Sequence, residues 1–119
     1  DFDPQGNATM ASGIDKRQAK PGGCEVLLDE VPIDRAIITT EAGYDLLPGS
    51  GDLTAAELKL MDSLAREMRL KEQLAKLGDR YHTILIDCGP GPYGRRLVAE
   101  LQAAGVQQID VLVGIGYSL

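Results

Sequence analysis

Apolar and polar residues alternate along this chain in two distinct rhythms. From Leu58 to Met68, apolar side chains return every three or four positions (Leu58, Met61, Ala65 and Met68, with Leu64 widening the stripe). That is the period of a helix with one buried face. Thr54-Ala-Ala-Glu57 just ahead fits a capping box, in which hydroxyl and carboxylate satisfy first-turn N–H groups. Opposite the stripe, Asp62 with Arg66, Glu67 with Lys71 and Glu72 with Lys76 are acid-first pairs four residues apart. The helix is predicted to stop near Gly78. Tyr81-His-Thr-Ile-Leu-Ile-Asp-Cys88 follows the other rhythm: its apolar residues are nearly continuous, as in a strand covered by helices on both faces. Ile109 to Ile115 reads the same way. Between them Leu97, Val98 and Leu101 predict a helix over Tyr93–Ala104, with Gly105 as its C-cap.

The N-terminal half is more broken. Residues 1–23 read as loop with one short helix around Thr9 to Ile14. Cys24 to Ile38 should form two short helices divided by Pro32, because proline starts a helix well and interrupts one badly. Gly43 to Pro48 is a strand candidate closed by the Pro48-Gly49 turn. Helices alternating with buried aliphatic strands predict an α/β fold, a three-layer arrangement with a mostly parallel sheet and flanking helices. One domain over residues 1–119 is expected, without internal repeats.

Composition narrows the function classes. The longest apolar runs fall far short of the ~20 residues that a membrane span needs. A net charge of −6 makes the surface as a whole a poor match for nucleic acid. Two cysteines, Cys24 and Cys88, lie far apart in sequence and make no C-x-x-C pair, and with a single histidine they argue against a disulfide scaffold or a His/Cys zinc cluster. A reducing cytoplasm is the expected compartment. Without Trp and with one Phe, the core must be aliphatic. Met61 and Met68 are expected in it, Cys88 as a small buried hydrophobe, and His82 at a strand edge. The chain begins at Asp rather than Met, which is expected of a fragment or a processed product.

Two acidic sites could carry chemistry. One is Asp1-Phe-Asp3-Pro-Gln-Gly-Asn7, a carboxylate pair followed by proline, amide and glycine. The other is Asp87, at the C-terminal end of a hydrophobic strand, where α/β sheets place ligands and where a carboxylate can hold Mg²⁺ through water. The bland reading of each is a carboxylate capping a turn. Together they say more, because Asp1-Phe-Asp-Pro-Gln-Gly-Asn-Ala-Thr9 resembles the aspartate motif of the ParA/Soj partition ATPases, whose usual form is Asp-Leu-Asp-Pro-Gln-Gly-Asn. Val26-Leu-Leu-Asp-Glu30, Gly43-Tyr-Asp-Leu-Leu-Pro-Gly49, Asp52-Leu-Thr-Ala-Ala-Glu57 and Tyr81–Cys88 follow in that family's order, so the resemblance covers residues 1 to about 90. It implies a P-loop NTPase, Rossmann-like domain that dimerises around ATP and Mg²⁺, binds DNA nonspecifically as a dimer and is stimulated by a ParB-type partner. By position, Asp3 resembles the carboxylate that orients the attacking water. Asp1 would lie near the Mg²⁺ shell, and Asp87 resembles the Walker B aspartate, in a reaction where positioning and charge neutralisation supply most of the catalysis.

The departures shape the expectation. No G-x-x-x-x-G-K-[ST] segment occurs in the 119 residues, so the phosphate cradle, its Lys and its Mg²⁺-binding hydroxyl are not among them. Pro21-Gly22-Gly23 is no substitute, since no strand precedes it. Gly89-Pro90-Gly91-Pro92 stands where the family tends to carry Pro-Pro, and residues 91–119 form an unassigned helix–strand unit outside the resemblance. The chain alone is therefore expected not to hydrolyse ATP, and to self-associate to cover apolar sheet edges. Two alternatives stay open. One is a small flavodoxin-like domain binding an anionic ligand in the loop after Asp87, with Arg95 and Arg96 or Gly114-Ile-Gly116 nearby; the other is a ligand-free structural or oligomerising module.

Overall fold

In a computed structural model of the chain, residues 1–3, 5–49, 63–88, 99, 101–103, 105–106 and 109–113 are described. Their order is α1 (Asn7–Ala11), α2 (Gly23–Leu27), α3 (Ile33–Ala36), β1 (Ile38–Thr39), β2 (Asp45–Leu46), α4 (Ser63–Ala75), β3 (Ile84–Cys88) and β4 (Ile109–Val113). Residues 99 and 101–103 are also helical.

Pro32 divides α2 from α3 as the sequence predicts. It has no side chain able to cap α3, and the work falls to a distant residue. The Ile33 amide donates to Gln73 Oε1 of α4 at 3.1 Å, and Gln73 is itself buried. Such a bond satisfies a first-turn donor that would otherwise be orphaned in the core. Asp29 takes a left-handed φ of 61°, which lets the chain turn after α2, and its carboxylate meets Arg69 of α4 at 3.1 Å.

The phase of α4 corrects the expected stripe. Met68 is 51% exposed, whereas Leu70, Leu74 and Leu77 are buried with Gln73 between them. The stripe through Ala65 and Met68 runs next into Glu72, whereas the stripe through Leu70 continues apolar for two more turns. The helix therefore turns Leu70 and Leu74 inward and leaves the flexible Met68 thioether in water. Cys24, Val26, Leu27, Ile33 and Ala36 meet this face, and Ile86 and Leu101 complete the aliphatic core.

β3 and β4 pair in parallel from Ile84 with Ile109 to Cys88 with Val113, the arrangement their continuous apolar runs predict. Coverage on both faces does not follow: Ile86 is 3% exposed but Leu85 is 58% exposed. On the far side of β3 from its start, the Phe2 amide donates to the Asp87 carbonyl at 2.8 Å, which draws the N-terminal segment against the strand. β1 and β2 form an antiparallel hairpin, Ile38 opposite Leu46 and Thr39 opposite Asp45. The strand expected over Gly43–Pro48 is thus two residues long, and Ile38, expected in a helix, is its partner. His82 is exposed, as expected of a residue before the strand.

Among the described residues no helix is long and apolar enough to cross a membrane. Several expectations fall outside the described residues: the Thr54–Glu57 capping box, Leu58, Met61, the side chains of Leu64, Ala65 and Cys88, the Asp62–Arg66 and Glu67–Lys71 pairs, Gly89–Pro92, Arg95, Arg96 and Gly114–Gly116.

Candidate functional site

Asp87 is the fourth of the five residues of β3, near the C-terminal end of the parallel pair. The backbone bond from Phe2 to Asp87 sets residues 1–3 alongside. Asp1, Asp3 and Asp87 are all buried, at 8%, 6% and 8% exposure. Burial pushes the Asp87 carboxyl above the usual carboxylate range. The negative charge of Asp3 adds to that. Asp3 stands one residue beyond the backbone bond that joins Phe2 to Asp87, and both carboxylates are buried there.

The turn after Asp3 is what aims it. The Gln5 amide donates to Asp3 Oδ1 at 3.0 Å and Asn7 Nδ2 to Asp3 Oδ2 at 2.8 Å, so each carboxylate oxygen has a fixed donor. The Gly6 amide closes the turn on the Asp3 carbonyl at 2.8 Å. Gly6 holds φ of 67°, a conformation that favours glycine, and α1 begins at once. Gln5, Gly6 and Asn7 together therefore hold the Asp3 carboxylate in place.

Asp1 is mounted differently. Its Oδ1 accepts the Asp3 amide at 3.0 Å, and its Oδ2 accepts both the amide and the hydroxyl of Thr9, at 2.9 and 2.8 Å. The Thr9 hydroxyl in turn accepts the Gly49 amide at 2.8 Å. Gln5, Asn7, Thr9 and Gly49 were not singled out from sequence as site residues. Gln5, Asn7 and Thr9 lie within the motif that was quoted, and their spacing from Asp3 was the available signal. The contact with Gly49 spans 40 residues and leaves no local trace.

Asp1, Asp3 and Asp87 do not make a metal cage: among the described residues no group of three or more His, Cys, Asp or Glu side chains could hold an ion unaided. Mg²⁺ asks for less. It keeps several waters and takes one or two carboxylates beside substrate phosphates, which suits the Asp87 oxygen donors. A cavity of about 560 Å³ lies beside the site, with Asp1 and Asp87 in its wall among mostly aliphatic side chains such as Ile33, Leu70 and Ile84. Its described lining includes Asp45 and no Lys, Arg or His.

Residues 1–104 match the AAA domain family. An uncharacterised protein of Pseudomonas putida is 45% identical over 107 residues, covering 89% of this chain and 41% of that protein. The sporulation initiation inhibitor protein Soj of Bacillus subtilis is 38% identical over 91 residues, covering 76% of this chain and 36% of Soj. The chromosome partitioning protein ParA of Myxococcus xanthus is 40% identical over 91 residues, covering 76% and 32%. The chain thus spans less than half the length of these relatives. Among solved structures, cobyrinic acid a,c-diamide synthase of Mycobacterium smegmatis with bound ADP and magnesium superimposes with a TM-score of 0.67 over 94% of this chain and 57% of that one. At 24% identity this likeness speaks to fold alone.

Proposed function

From the premise that the chain belongs to the AAA domain family, with ParA/Soj partition ATPases among its relatives, we propose that it carries the carboxylate half of an ATP-hydrolysing site in a partition system. The observation that carries this reading is the juxtaposition of two buried carboxylates, Asp3 and Asp87, brought alongside by the backbone bond from the Phe2 amide to the Asp87 carbonyl. Asp3, held by Gln5 and Asn7, orients the attacking water and accepts its proton. Asp87 anchors the metal shell. Mg²⁺ bound there would neutralise charge on the transferring phosphoryl group, the larger part of what catalysis needs in this chemistry.

Hydrolysis also needs a phosphate cradle, which the 119 residues do not contain. On this reading the chain by itself turns over no ATP. A cytoplasmic setting, self-association, a ParB-type partner and nonspecific DNA belong to the same proposal.

The test is thermal unfolding with and without millimolar Mg²⁺-ATP, repeated with Asp87→Ala. A ligand at ~100 times its Kd stabilises by about 2.7 kcal/mol, visible as a shift of several degrees. The expected result is a shift in the natural chain that Asp87→Ala loses. A natural chain that does not respond, or a variant that responds equally, overturns the proposal.

A further inference from the structure

Thr9 is a polar residue with no measurable exposure, and the chemistry proposed above gives it nothing to do. Its hydroxyl is nonetheless fully committed. It donates its one proton to Asp1 Oδ2 at 2.8 Å and accepts the Gly49 amide at 2.8 Å, while the Thr9 amide reaches the same Asp1 oxygen at 2.9 Å. The other Asp1 oxygen accepts the backbone amide of Asp3 at 3.0 Å. Gly49 closes on Asp1 so tightly that a Cβ there would stand 2.6 Å from the Asp1 carbonyl oxygen and 3.0 Å from its Cγ. The Asp1 nitrogen donates to the Leu47 carbonyl at 2.9 Å. Asp1 is therefore gripped from the start of α1 on one side and from the segment after β2 on the other.

We infer that Thr9 is a positioning residue, which through the Asp1 carboxylate fixes the backbone of Asp3, and that Asp1 serves the site as this brace rather than as a member of the metal shell. The inference rests on the reading of Asp3 given above. It deepens that reading by assigning separate tasks to the two aspartates of one motif: Asp3 faces the reaction, and Asp1 faces inward to hold it. The geometry distinguishes them. The donors on Asp3 come from its own turn, whereas those on Asp1 come from Asp3 and from Thr9, whose hydroxyl also accepts the Gly49 amide forty positions away.

Amide hydrogen exchange on the full chain tests this with Thr9→Val, which keeps the shape and loses the hydroxyl, and Thr9→Ser, which keeps the hydroxyl and loses a methyl. The expected result is a loss of protection of about tenfold at the Asp3 and Gly49 amides in Thr9→Val, the scale of one charge-assisted hydrogen bond, with β3 unaffected. Thr9→Ser should restore both amides. A role in packing alone predicts the opposite order, with valine tolerated and serine harmful. Unchanged protection in Thr9→Val, or a loss in Thr9→Ser as large as in Thr9→Val, overturns the inference.

Should Thr9→Val fail to fold, Asp1→Asn gives the same readout, because it keeps the shape and removes an acceptor. Mn²⁺ affinity, measured alongside as a probe of the metal shell, separates the two claims. Weaker Mn²⁺ binding in Asp1→Asn with Asp3 protection intact makes Asp1 a ligand and overturns the brace. If instead Asp87→Ala leaves Mn²⁺ binding unchanged, the proposed function fails, while the exchange result still decides the role of Thr9.

Discussion

Asp45 accepts hydrogen bonds from the Tyr81 phenol at 2.5 Å and the Thr39 hydroxyl at 2.7 Å, which pins the β1–β2 hairpin to the segment entering β3. The Tyr81 bond, then that of Thr39, holds the Asp45 carboxyl below its ordinary value of 3.8. Burial, then the bond to Asp45, holds the Tyr81 phenol above its ordinary value of 10.0. The signs give both limbs of a pH profile. A depressed carboxyl stabilises the fold above its unfolded pKa, and that contribution fades as pH falls through the folded value. A raised phenol stabilises below its unfolded pKa, and its contribution fades as pH rises through the folded value. Tyr81→Phe should therefore melt below the natural chain between roughly pH 5 and 9, with the gap closing in stronger acid as Asp45 protonates. Paired melting curves across pH check this. A gap that is constant into strong acid would mean that the contact is packing alone. Nothing in the local sequence announces this pair, because Asp45 and Tyr81 meet across 36 positions.

At the scale of elements, α4 offers the sharpest discrimination. Leu70 is 1% exposed and Met68 51% exposed, although the two are separated by a single residue. Leu70→Ala should cost about 2–5 kcal/mol through lost burial and a residual cavity, whereas Met68→Ala should stay within about 0.5 kcal/mol. Denaturant titration of both variants checks the phase, and similar losses would refute it. The helix was legible from its period, but its phase was not, since two apolar stripes overlap between Leu64 and Leu77 and only the packing partner selects one. Other elements divide in the same way. β3, β4 and their parallel pairing were legible because a continuous aliphatic run ending on Asp87 has few other uses. The hairpin was not: two-residue strands carry no periodicity, and Ile38-Thr39 makes sense only beside Asp45-Leu46. Asp1, Asp3 and Asp87 were legible as a motif and a strand end. Thr9, Gly49 and Gln73 were hidden because their hydrogen bonds each cross 40 positions or return to a motif residue already given another role.

At the scale of the whole molecule, Leu85 of β3 stands open to water. A leucine 58% exposed in the middle of β3 is unusual for a strand with nearly continuous apolar sequence, which is normally covered on both faces. Leu85 also belongs to the wall of the aliphatic cavity, so the open face is continuous with apolar surface rather than an isolated residue. The chain corresponds to 41% or less of the length of the relatives named above, which leaves ample room in such proteins for structure that covers this strand. Expressed as these 119 residues, the chain should bury the face against a second copy, since a contiguous apolar patch beside a short parallel pair favours association. Sedimentation at several concentrations should show a reversible shift to a dimer or larger species, and Leu85→Lys should move it toward monomer without lowering Tm by more than a few degrees. The substitution places charge where water already reaches, so folding loses little while the interface loses its centre. A natural chain that sediments as a monomer at every concentration would mean that the exposed face is tolerated as it stands. The self-association expected from the aliphatic strand pattern would then have no basis in this chain.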